Sequence, residues 1–324
     1  MLSASYKTKH FLFQTIKLLL VFGAVLFLYQ KLSEDHFFSQ FHIKTITRSE
    51  IFAMDTLVII LFFSFANWAL EILKWKVLLQ PISPVSYRKA AMQSLIAFSV
   101  SIVTPNKLGE YGIRPLFFEK SLRNKIALLT AIHHFLQLMA TLFFGFIGFL
   151  FLLTLFPEMH EYLFSVSLIT IVVIITLIVI SALNRKPWLK VTFLNKGLQF
   201  IGELKKKVYL KGLAFSMARY LIFSHQFIFL LSVYKVSLPY PYALAAVTTV
   251  YLLSTLLPAI SFFDVLIKGS VAIFVFGMFN VEELSIMKIT GVMWFFNFIL
   301  PLFPGGYYTL KIRYPDNEKE WKLL

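Results

Sequence analysis

Nine apolar runs separated by short polar stretches organise the chain: 11–29, 51–73, 90–103, 126–155, 162–183, 212–234, 241–257, 262–279 and 284–310. Six of them, 11–29, 51–73, 126–155, 162–183, 212–234 and 284–310, are long enough as helices to cross a hydrocarbon core of about 30 Å. The run 90–103 is too short to do so, and a polar stretch, TPNKLGEYGIRP (104–115), follows it. The paired runs 241–257 and 262–279 are divided by a second break, LLPAISFFD, around Pro258.

Charge supplies the orientation. Residues 1–10, 74–89, 119–125, 184–211 and 311–324 carry 21 Lys and Arg between them, whereas 30–50, 156–161, 235–240 and 280–283 carry 4. The second set also holds seven acids, Glu34, Asp35, Glu50, Glu158, Glu161, Glu282 and Glu283. Lys and Arg gather in cytoplasmic loops, so the first set, with both termini, is expected inside. Both flanks of 90–118 are then inside, and the chain between them must enter the membrane and return. By the same reasoning 241–279 enters from the outer face and returns there. The expected fold is an all-α polytopic membrane protein with six full spans and two opposed re-entrant hairpins. It forms one membrane domain of two halves, about 1–155 and 156–310, arranged as an inverted-topology repeat, with a cytoplasmic tail at 311–324. Two unrelated halves with ordinary kinked helix pairs are the alternative.

Composition agrees. Hydrophobic residues make up 58% of the 324, mean hydropathy is +0.76, and only 15% are charged against about 25% in soluble domains. The net charge of +15 is accordingly read as membrane topology, not nucleic-acid binding. The chain has no cysteine, which excludes disulfides, thiolate catalysis and Cys-ligated metals. Lys7 and Lys9 precede the first run and no small-residue cleavage site follows it, so a retained helix is expected. Segment 184–211 has eight cations and one acid, Glu203, and reads as an amphipathic helix on an anionic inner leaflet. There is no GxxxxGK[ST], GxGxxG or HExxH pattern, and no cofactor or metal is expected.

The two breaks carry the chemistry. Thr104, Pro105, Gly109, Gly112 and Pro258 are expected to interrupt helices, through the missing proline N–H and the freedom of glycine. Broken backbone at membrane depth is tolerated only against protein or a wet cavity. Glu110 and Arg114 are four apart, as are Asp264 and Lys268, so each pair shares a helix face. Such pairs either staple a hairpin or line a substrate cavity; their recurrence in opposed halves favours the cavity. Asn67 and Glu71 share a face of the second span, where Glu71 is either interfacial or part of the cavity. Arg219 either snorkels to the cytoplasmic face or joins the site. Adjacent His133 and His134 face different sides of a helix, which suits hydrogen bonding better than joint metal ligation. Asp55 is expected to be solvated.

TPNKLGEYGIR resembles the TP…GE…R signature of the lysylphosphatidylglycerol synthase transmembrane-domain family, through Thr104, Pro105, Gly109, Glu110 and Arg114. SMARYLIFSHQF and LPAISFFDVLIKGSVAIFVFG are similar to that family's second half, and the likeness spans nearly the whole chain. Phe262 and Phe263 stand where the family has glycines, and Lys268 where it has a glutamate. The resemblance implies a stand-alone protein of a bacterial cytoplasmic membrane, without the synthase domain. It also implies flippase-like translocation of a phospholipid or polyprenyl-linked lipid. The expected partners are membrane lipids with anionic headgroups. Arg114, Lys268 and Arg219 would meet a phosphate-bearing headgroup, while Glu110 and Asp264 would balance those cations or take a cationic headgroup or a proton. Two rival readings are a lipid-modifying transferase using His133, His134 or Glu71, and a scaffold for another membrane protein.

Overall fold

The computed structural model describes residues 53–102, 104, 107–156, 199–255 and 264–312, all of them helix or connecting turn. The expected spans at 11–29 and 162–183, Pro105, Pro258 and most of the 311–324 tail lie outside these residues. The described helices are α1 (Met54–Leu79), α2 (Tyr87–Ser101), α3 (Leu108–Leu116), α4 (Arg123–Leu153), α5 (Lys206–Val233), α6 (Tyr240–Thr255), α7 (Asp264–Gly277) and α8 (Glu283–Lys311). Four of them, α1, α4, α5 and α8, are long and apolar enough to cross a membrane. α1 has neither glycine nor proline to interrupt it. α2 and α3, with 15 and 9 residues, reach about 22 and 14 Å, and α6 and α7 are comparably short.

α1 and α5 run antiparallel along their length, because Gln226 meets Ile60 and Ser64 while Arg219 meets Asn67 and Glu71. α2 packs on α3 and α3 on α4; α6 packs on α7 and α7 on α8. In addition α4 packs on α6 and α8 on α2. The last two contacts are close approaches at glycines. A Cβ on Gly148 would meet Thr248 Oγ1 and stand 2.8 Å from Ala245 O; one on Gly305 would meet Ser99 Oγ and the Leu95 carbonyl. Small residues let helix backbones approach where lipid supplies no hydrophobic drive for association.

The buried apolar side chains form two clusters. One joins α5, α6, α7 and the first half of α8 with the second half of α4 and Ile60 of α1, around Phe227, Val250 and Phe276. The other joins the end of α1 with α2, α3 and the start of α4, around Trp75, Ile96 and Ile126. Phe62, Phe65, Phe143 and Phe303 point outward, the reverse of a water-soluble fold.

Three expectations about local backbone need correction. Gly109 and Gly112 both lie inside α3 with no positive φ, so neither breaks the helix. Gly109 instead permits close approach: a Cβ there would stand 2.9 Å from Ser101 Cα and Val100 O. Nothing crowds Gly112. The left-handed residue of the turn is Lys107, at φ 59 and ψ 28. Thr104 ties the bend together by accepting from Gly109 N–H at 2.9 Å and donating to Ser101 O at 2.8 Å. In the basic segment, residues from Lys206 onward already belong to α5, and Phe200 and Leu204 are buried in the second cluster.

Replacing Gly148 with Val should overpack the α4–α6 contact and destabilise the fold by about 1–3 kcal/mol, whereas Gly112→Ala should be near neutral. Thermal unfolding of the two variants in detergent checks this; equal melting would show that the close approach is dispensable.

Candidate functional site

The polar residues of the long helices turn inward because lipid offers them no partner. Glu71, 6% exposed, is their hub. Its Oε2 lies 2.9 Å from Lys74 Nζ, one helical turn along α1, and 2.9 Å from Arg219 Nη1 on α5. Its Oε1 meets His133 Nε2 on α4 at 2.8 Å, which assigns the proton to Nε2 because a carboxylate only accepts. Gln137 Oε1 accepts long bonds of 3.4 Å from both Lys74 and Arg219. The Glu71 and Arg219 side chains meet between helices.

From Arg219 a chain of amides continues across the bundle. Arg219 Nε donates to Asn67 Oδ1 at 2.8 Å, Asn67 Nδ2 to Asn297 Oδ1 at 3.0 Å, and Asn297 Nδ2 to Gln226 Oε1 at 2.8 Å. Gln226 Nε2 then donates to Ser64 Oγ at 2.9 Å. Asn297 sits in a π-helical turn of α8, Phe295–Ile299. Pro301, four residues on, has no N–H to offer the Asn297 carbonyl; Trp68 Nε1 donates to it instead at 3.1 Å. The proline thus frees a carbonyl, and α1 satisfies it.

Beside this network the expected pair on α3 forms: Arg114 Nε and Nη2 lie 2.9 and 2.7 Å from Glu110 Oε2. The guanidinium lies over the Trp75 ring, 4.1 Å from its centroid, while Trp75 Nε1 donates to Gln93 Oε1 at 3.0 Å. Arg114 is 1% exposed, and its Nη1 has no hydrogen-bond partner. His134 Nε2 stands 3.5 Å from Glu110 Oε2, and its ring lies against Tyr111. The pair on α7, Asp264 and Lys268, also forms, with Lys268 near the Phe223 ring.

Many of these groups border a cavity of about 1140 Å³. Its lining includes Asn67, Glu71, Glu110, Arg114, Arg219, Asp264 and Lys268, the seven residues singled out from the sequence as substrate contacts. Its walls are otherwise largely aromatic, including Phe98, Phe223, Phe227, Trp294 and Phe298. The structure adds Lys107, Gln137 and Asn297 to the lining, and Lys74 behind Glu71. An asparagine within FFNFILP, in an otherwise apolar span, was the legible signal for Asn297. Lys74 reads in sequence as a flanking cation, and Lys107 as one residue of a polar bend. His225 is turned elsewhere, bonded to Leu221 O and Tyr240 OH, and Asp55 is exposed. Among the described residues no group of three or more His, Asp or Glu side chains has the arrangement of a metal site.

No family model matches the chain, and neither curated proteins nor solved structures provide a match.

Glu71→Gln should leave Lys74 and Arg219 buried without their carboxylate and destabilise the fold by about 3–5 kcal/mol. Asp264→Asn should change stability by less than about 1 kcal/mol, because that pair is 32% and 41% exposed. The melting transition of purified protein, followed by tryptophan fluorescence, distinguishes the two; a wild-type transition for Glu71→Gln would remove the carboxylate from its place as hub.

Proposed function

We propose that this protein moves a lipid with an anionic, phosphate-bearing headgroup between the leaflets of a bacterial cytoplasmic membrane. The observation that carries the reading is the cavity, which gathers cationic and polar side chains together with aromatic and aliphatic ones. Its polar groups suit a headgroup, and its aromatic surface suits the first methylenes of a chain.

The arrangement of the helices supports an inverted repeat. Each half places a long helix first, two short helices next and a long helix last, and the leading helices α1 and α5 are antiparallel. In transporters built this way, substrate sites lie near the midplane at broken helices. α2–α3 and α6–α7 are then the two re-entrant hairpins, entering from the inner and outer faces. Six spans follow when the apolar runs 11–29 and 162–183 are added. The likeness of TPNKLGEYGIR to the lysylphosphatidylglycerol synthase transmembrane-domain family points the same way.

A transferase reading is less well served. It needs a base beside a donor site, yet His133 is fully buried and engaged with Glu71, which leaves His134 as the histidine that lines the cavity.

Lys268 provides the functional test, because its half-exposed pair contributes little to stability. Lys268→Gln should retain the fold and lower transbilayer movement of labelled lipid in proteoliposomes by about tenfold, the factor of one charge-assisted contact. Movement at the wild-type rate would count against the cavity as the path. Orientation is tested separately, since the chain lacks cysteine. In intact cells, a cysteine at Ser121 should resist an impermeant maleimide added from outside, and one at Glu283 should react; the opposite pattern would invert the assigned topology.

A further inference from the structure

Among the described residues the charges around the cavity do not cancel. Four cations line it, Lys107, Arg114, Arg219 and Lys268, and a fifth, Lys74, stands directly behind on Glu71. Three carboxylates answer them: Glu71, Glu110 and Asp264. Among these side chains the Lys and Arg outnumber the carboxylates by two. The helix breaks at 103–106 and 256–263 contain no charged residue, so they do not close the difference. A buried charge without a counter-charge is costly at membrane depth, and such residues mark substrate paths.

The unspent donors are identifiable. Lys107 lines the cavity and has no ion-pair partner among the described residues. It is held with a left-handed backbone, which a lysine adopts only when its surroundings impose it. Arg114 Nη1 is buried and unpartnered beside the same cavity. Arg219 spends Nε on Asn67 and Nη1 on Glu71 and Gln137, and its Nη2 makes no bond within the described chain.

From this excess we infer that the headgroup this cavity takes is a phosphate dianion, a phosphomonoester or a diphosphate rather than a singly charged phosphodiester, and that Lys107 is the residue that selects it. A phosphomonoester carries a charge of about −1.5 to −2 at pH 7 and offers three acceptor oxygens. It therefore answers both the two surplus charges and the three unspent donor groups, whereas a diester leaves one cation uncompensated. The inference rests on the translocation reading for the lipid, but the charge count itself does not depend on transport.

The test reconstitutes the full-length protein in phosphatidylcholine vesicles at pH 7.5. Each preparation carries a trace of tail-labelled phosphatidic acid or tail-labelled phosphatidylglycerol with the same chains, and an impermeant quencher reports the exposed label. Above the protein-free rate, phosphatidic acid should cross about tenfold faster than phosphatidylglycerol. Lys107→Asn removes the charge but tolerates the left-handed backbone, and should bring the ratio close to one; Lys107→Arg should retain it. Phosphatidylglycerol crossing as fast as phosphatidic acid, or an unchanged ratio in Lys107→Asn, would overturn the inference while leaving translocation standing. If neither lipid crosses, translocation fails. Tryptophan-fluorescence titration in detergent with the same two lipids and with sodium pyrophosphate then decides: tighter binding of phosphatidic acid than of phosphatidylglycerol supports the dianion, and equal binding overturns it. Pyrophosphate binding as tightly as phosphatidic acid would overturn the lipid as its source.

Discussion

A carboxylate in an apolar bundle has to be matched by cations, and those cations have to come from somewhere. Glu71 is matched by Lys74 on its own helix, Arg219 on the antiparallel α5, and the neutral donor His133 on α4. That one requirement registers three of the four long helices against one another. Asn67, Asn297 and Gln226 extend the registration to α8. Apolar packing in lipid is weakly directional, because tails and side chains are equally oily. Polar complementarity and glycine-mediated approach therefore carry the specificity of the assembly.

The same requirement creates the cavity. The lining of the cavity includes side chains from α1, α3, α4, α5, α7 and α8. There the chain keeps Glu110 with Arg114 and Asp264 with Lys268, so the space is polar where it would otherwise be packed. Two pairs of the same spacing contribute in different ways. Arg114 is buried against Trp75 and belongs to the architecture as well as to the cavity, whereas Lys268 and Asp264 are half exposed. Loss of the first pair confounds stability with function; loss of the second separates them.

Cation surplus, aromatic walls and opposed halves make lipid transport the reading that uses most of what the site contains. A scaffold would have no use for surplus buried charge. Of the two adjacent histidines, His133 is engaged by Glu71 and His134 lines the cavity.

The sequence by itself determined most of the helices: seven of its apolar runs lie on seven of the eight helices, with ends that differ by up to six residues, while α3 lies in the stretch read as a polar break. It also determined the i, i+4 pairs, since helical geometry alone sets that spacing. It misassigned the origin of the bend, where Lys107 carries the left-handed residue and Gly109 and Gly112 stay helical. It did not single out Asn297 or Lys74 as members of the network. Those depended on tertiary structure for a physical reason: whether an isolated polar residue snorkels, is solvated or finds a partner is decided by what faces it from helices distant in sequence. Arg219 faces Asn67 across 152 residues, and Asn67 faces Asn297 across 230. No local pattern encodes those distances; only packing of the two halves brings them to one place.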